Sequence, residues 1–174
     1  MHWVAFGILL YCVTAIQSAV VPLVAVHTIK PDLMMIVAVY YALAARSRDA
    51  LLACWTIGLV IDLASLSYRS NGNVGLHALS LGLMGLLIIK VRAYTFRESV
   101  LTHLVFTFGA TMLVSVAVGC HLMWVQNDWS RPGAVATAAF YTSVYTGVLA
   151  PYGHWCLRRT RGLLGIGPTH RLRA

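Results

Sequence analysis

The chain has 174 residues, 59% of them hydrophobic and only 10% charged, with a mean hydropathy of +0.76. A soluble domain carries about 25% charged residues. This composition therefore excludes a water-soluble globule and implies one polytopic, all-α membrane domain with no room for a second folded one. The formal charge of +8 does not signal nucleic acid, because the basic residues sit in short loops and the tail, where orientation in the membrane accounts for them.

Trp3 to Val26 is the first apolar run. It is too long for a signal-peptide core, so an uncleaved helix is expected, bent near its far end by Pro22. His27 to Lys30 connects it to a second helix. Pro31 suits the first turn of that helix, where a missing N–H costs nothing. Asp32 lies near the positive end of its dipole. The helix runs from Leu33 to Ala45, only about 20 Å at roughly 1.5 Å per residue, against a hydrocarbon core of about 30 Å. A helix that short either is shielded by neighbours or begins earlier.

Arg46 to Asp49 ends it, and the third run, Ala50 to Ser67, follows. Tyr68 to Asn73 is a polar turn with Asn71-Gly72 at the reversal. The fourth run is Val74 to Ile89. A basic loop from Lys90 to Glu98 places Tyr94 and Phe96 at interface depth. The fifth run is Ser99 to Val125. Gln126 to Pro132 turns back, with Trp124 and Trp129 as interface anchors. The sixth run is Gly133 to Leu157, expected to break near its end at Pro151. The domain thus spans residues 1–157, and a basic tail of residues 158–174 remains.

Six helices put both termini on one side of the membrane. Ten basic residues fall on that side: Arg46, Arg48, Lys90, Arg92, Arg97 and five tail arginines. Only Lys30, Arg69 and Arg131 fall on the other. The positive-inside rule makes the termini cytoplasmic. The tail arginines also suit a surface rich in anionic lipid.

Asp62 is the costly residue. A carboxylate within an apolar span costs roughly 2.5–3.5 kcal/mol on insertion scales, so it is expected to face protein or a wet cavity. Cys54, Gly58, Asp62 and Ser65 share one face of the third helix. Gly75, Ala78, Gly82 and Gly85 form a small-residue stripe on the fourth, which permits close helix approach. The expected company of Asp62 is His77, His121, Ser65 and Tyr68. Three roles stay open for it: a protonated packing device, a site for a ligand, ion or proton, or a contact with a partner protein. If Asp62 is a neutral carboxyl, Asp62→Asn is better tolerated than Asp62→Leu. Gly82→Leu is expected to force the helices apart.

Other chemistry is thin. His77 with His121, or His103 with His154, lies at matching depth for a haem between helices, but core and interface histidines are commoner and no cofactor is expected. Metalloprotease, nucleophile-elbow and phosphate-loop motifs are absent. Asp32, Asp62 and Asp128 form no spaced acid/base pair, so an enzyme is not expected. Cys12, Cys54, Cys120 and Cys156 read as small buried apolar side chains.

The order of features resembles the bacterial rod-shape-determining MreD family. Pro31-Asp32-Leu33 and the run to Tyr40-Tyr41 match that family's start of the second helix. Gly58 to Leu63 matches its Gly-Leu-hydrophobic-hydrophobic-Asp-Leu segment, and Gly75-Leu76-His77-Ala78-Leu79 its segment on the fourth helix. The resemblance is clearest from Lys30 to Val91. It implies a non-enzymatic scaffold in the bacterial inner membrane, working with the single-pass protein MreC. The wider assembly it implies contains MreB, RodA and a penicillin-binding transpeptidase. It also implies a fold like the substrate-binding subunits of energy-coupling-factor transporters, which contain an outward-facing cavity. The alternative function is therefore a small-molecule-binding transporter subunit with Asp62 in its site.

Overall fold

The computed structural model describes residues 2–25, 29–66, 75–92, 100–127, 129, 132–160 and 162. Among them are six α-helices: α1 (Trp3–Ala19), α2 (Leu33–Ala44), α3 (Ser47–Leu66), α4 (Leu76–Val91), α5 (Val100–Gln126) and α6 (Pro132–Arg159). His27, the Tyr68–Asn73 turn, residues 93–99 of the basic loop, Asp128, Arg131, Arg161, Arg171 and Arg173 lie outside the described residues.

The short helix is the axis of the fold. Every residue of α2 from Met34 to Leu43 is buried, and α2 touches α1, α3, α4, α5 and α6. Its sequence is apolar all round, as a fully enclosed helix requires. At twelve residues it is only about 18 Å long. The neighbours supply the shielding that its length demands.

Two helical hairpins wrap it. Gly58 of α3 lies against Ala78 of α4, and Cys54 against Gly85, so the two helices run antiparallel. Gly119 of α5 lies against Val135 of α6, and Gly147 against Phe108, which makes a second antiparallel pair.

Local departures from the expected pattern have local causes. The α-helix of α1 stops at Ala19, and Pro22 joins a 3₁₀ turn, Val21–Val24, where the chain tightens rather than bends. Pro31 lies before the helix, because Asp32 is its N-cap. Pro151 does not break α6, which continues to Arg159. The proline is straddled by contacts with α2. Thr146 accepts from the Asp32 N–H, and His154 and Leu157 are hydrogen-bonded to Ile36 and Tyr40. These tie both halves of α6 to α2. The thiols divide: Cys54 is buried, whereas Cys12, Cys120 and Cys156 are exposed, and all four are free.

The polarity is that of a molecule built for hydrocarbon. Val4, Tyr11, Leu23, Leu79, Leu101 and Tyr152 all point outward, Leu23 at 84% exposure. Asp62, Arg92, Thr107, Thr146 and His154 are buried inside. Water-soluble proteins rarely expose contiguous apolar surface beyond a few hundred Å². Two helices, Leu101–Gln126 and Pro132–Arg159, are long and apolar enough to cross a membrane.

Candidate functional site

Asp62 is explained by the start of α4. Gly75 precedes that helix with φ of 101°, a left-handed conformation that glycine adopts without strain. It has no side chain with which to cap the helix. The first N–H groups of a helix lack intrahelical acceptors, and hydrocarbon offers none. Asp62 reaches across from α3 to supply them. Its Oδ2 accepts from the N–H of Gly75 at 2.9 Å and of Ala78 at 3.1 Å. Its Oδ1 accepts from the His77 N–H at 3.1 Å and contacts His77 Nδ1 at 2.8 Å.

Three backbone donors and a ring nitrogen therefore converge on one carboxyl group. An anion at a helix N-terminus is also favoured by the dipole. A carboxylate accepts all four of these contacts when His77 Nδ1 carries the proton of the last. Asp62 is a cap for one helix borrowed from another.

The small residues make that reach possible. A Cβ on Gly58 would lie against Ala78 Cα and 2.6 Å from both Ala78 N and His77 O, all backbone atoms. One on Gly85 would lie 2.9 Å from Cys54 Sγ. One on Gly82 would be 3.5 Å from Trp55 Cδ1, an ordinary contact with a half-exposed side chain. The tightest backbone approach along this seam is therefore at Gly58 rather than at Gly82. Ala78, Gly82 and Gly85 form the stripe, and it meets the Cys54–Gly58 face of α3. Gly75 stands outside the stripe, in the turn.

The rest of the expected company is elsewhere. Ser65 is exposed and donates to the backbone oxygen of Asp62 at 2.8 Å, not to its carboxylate. His121 is exposed on α5. Tyr68 is outside the described residues.

The same physics governs both ends of α2. Asp32 Oδ1 accepts from the Met35 N–H at 3.2 Å. Gln17 of α1 accepts from the Leu33 N–H at 2.9 Å and donates to Pro31 O at 3.2 Å. At the other end, Arg92 donates to Ala42 O and Ala45 O, both at 2.7 Å, and to Ser47 Oγ at 2.9 Å. An anion at the N-terminus and a cation at the C-terminus complement the dipole of α2. The sequence places Arg92 in a solvated basic loop, but the structure buries it. Gln17, Thr146 and Arg92 are missed because their partners lie 14 to 114 residues away. The one available signal is a large amide or guanidinium beside an apolar run.

His103 and His154 do come together. Their ring centroids are 4.3 Å apart at 74°, in direct edge contact, which leaves no gap between them for a haem iron. His154 Nε2 donates to Ile36 O at 3.2 Å. Both ring nitrogens of buried His103 lack a hydrogen-bond partner among the described residues. Removing a polar group left without partners relieves a desolvation cost. His103→Leu, nearly the same volume, is therefore expected to leave the stability of the purified protein unchanged or raise it by up to about 1 kcal/mol, read by melting temperature. A clear fall in melting temperature would contradict this. No group of three or more histidine, cysteine, aspartate or glutamate side chains suited to a metal occurs among the described residues.

Because α2 ends part-way along the bundle, a recess of about 320 Å³ remains beyond its N-terminus. Asp32 and Met35, at the start of α2, line it together with His77 and Ile61. Residues of α5 between Val114 and Leu122, and of α6 between Val135 and Thr142, complete it. Asp62 does not line it.

The family model for the rod shape-determining protein MreD matches residues 1–152. The chain belongs to the MreD family. It is accordingly a rod-shape-determining membrane protein. The match extends beyond the Lys30–Val91 motifs to α1, α5 and most of α6. No curated protein and no solved structure matches the chain. The expected likeness to transporter substrate-binding subunits therefore gains no support. In this MreD chain the partly buried Asp32 and the buried Asp62 and Arg92 all serve helix ends, and the transporter reading, which put Asp62 in a ligand site, gains no support.

Proposed function

We propose that this MreD chain is a non-enzymatic scaffold of the cell-elongation machinery, with six transmembrane helices and both termini in the cytoplasm. It binds an MreC-like single-pass protein and helps to position lateral peptidoglycan synthesis, alongside MreB, RodA and a penicillin-binding transpeptidase. Residues 1–157 form the membrane domain, and the tail of residues 158–174 lies against the cytoplasmic lipid surface. The family match over residues 1–152 carries this reading. The capping network supports it: the charged side chains at both ends of α2 and at the start of α4 stiffen a bundle rather than form an acid/base pair.

The test is co-isolation of the tagged full chain from crosslinked membranes, combined with depletion in cells. The expected result is recovery of an MreC-like single-pass protein and loss of control over cell width. Normal width after depletion, or an intact complex of the remaining components without this chain, would overturn the scaffold role.

A further inference from the structure

The recess beyond α2 has chemistry that the capping network leaves unused. Its volume of about 320 Å³ falls within the range of small-molecule sites, about 300–1,000 Å³. Asp32 is only partly buried and lines the recess. Ser115 and Thr142 add hydroxyl groups. Among the described residues, no lysine or arginine lines the recess, and the guanidinium of Arg92 is engaged at the far end of α2.

The helix terminus above which Asp32 sits carries roughly half a positive charge. The Asp62–His77 pair contributes at most neutrality. Among the described residues, Asp32 is the one acid lining a recess otherwise walled by Val114, Val118, Leu122 and Val135. A carboxylate in such surroundings favours a bound cation that also donates hydrogen bonds.

We propose that the recess binds a primary ammonium group carried on a short apolar body. The ammonium donates to the Asp32 carboxylate and to the hydroxyls of Ser115 and Thr142, and the hydrocarbon lies on the valine and leucine walls. Two sources share this chemistry: a free amine, and the ethanolamine headgroup of a phospholipid. The proposal does not rest on the scaffold reading, and its test uses the purified chain alone.

The probe is n-hexylammonium, titrated against the full chain in detergent and read by melting temperature. Hexanol lacks the charge and hexyltrimethylammonium lacks the donors. Saturable stabilisation by hexylammonium is expected, with affinity at least tenfold above both comparators. Asparagine caps a helix as well as aspartate, so Asp32→Asn should melt as the wild type does without ligand and bind hexylammonium at least tenfold more weakly. Ser115→Leu, which fills the recess from another wall, should reduce binding to the same degree. In a second arm the protein is reconstituted in phosphatidylethanolamine or phosphatidylcholine vesicles, and co-purifying lipid is weighed by native mass spectrometry. Ethanolamine lipid retained by the wild type and lost from Asp32→Asn assigns the lipid source. Binding of hexylammonium alone assigns a free amine. Equal stabilisation by hexanol, unchanged affinity in both variants, or no binding in either arm overturns the proposal.

Discussion

Asp62→Leu is expected to cost this protein about 4 kcal/mol, because each of the donors it strands inside the bundle carries a penalty of about 1–3 kcal/mol. The substitution removes the acceptor of three backbone N–H groups at the start of α4 and of His77 Nδ1. Asp62→Asn is expected to fall between, at about 2 kcal/mol. Its amide keeps one acceptor oxygen, but its NH₂ turns a donor toward two donors. The order Leu worse than Asn is the one expected for a neutral carboxyl too. The structure adds a further requirement, that Asn itself be clearly worse than Asp. The measurement is the temperature at which half of the detergent-solubilised protein leaves the monodisperse peak. An Asn variant that melts with the wild type would show that a neutral cap suffices.

Gly58→Ala is the second large effect, expected at about 3 kcal/mol from overpacking together with weakened hydrogen bonds. The added Cβ meets Ala78 N and His77 O at 2.6 Å, and both belong to backbone that no rotamer change can move. Ordinary contact begins at 3.4 Å, so α3 and α4 have to separate by nearly 1 Å. Asp62 lies one turn further along the same face. Separation on that scale carries its bonds of 2.9–3.1 Å toward the length at which they cease to be hydrogen bonds. Gly58→Ala combined with Asp62→Asn should therefore cost less than the sum of the two. Gly82→Ala is the control. Its Cβ meets only Trp55 at 3.5 Å, and alanine is favoured over glycine inside a helix by up to about 1 kcal/mol. Neutral or slightly higher stability is expected there. Strict additivity of the Gly58 and Asp62 variants would disconnect the glycine from the cap.

Helix number and order are legible in the sequence because apolar runs of membrane length leave few alternatives. The shortness of α2 is also legible, since Asp32 and Arg46 bracket it. The pairing of α3 with α4 follows from the short turn and the two small-residue faces. The content of the site is another matter. Helical periodicity puts Asp62 on one face with Ser65, but it cannot tell that the hydroxyl bonds back to its own helix. Equal depth suggests both His77 and His121, yet only His77 follows Gly75 closely enough to be drawn under the carboxylate.

Arg92 shows the same limit from the other side. In sequence it is one cation among several in a basic loop, and only the position of the C-terminus of α2 makes it a buried cap. The recess is likewise a consequence of arrangement, since no segment encodes it. It exists because α2 is shorter than α5 and α6, which stand beside it.

The sequence by itself determined the membrane class, the six helices, their order and the few places where a charge had to be accommodated. Hydrophobicity and spacing are local properties, and each of these conclusions needs only neighbours within a few turns. The tertiary structure alone decided which helix ends Asp62 and Arg92 serve. A stranded N–H or C=O in hydrocarbon has to find whatever acceptor or donor lies nearest in space, and those partners come from helices far apart in the chain.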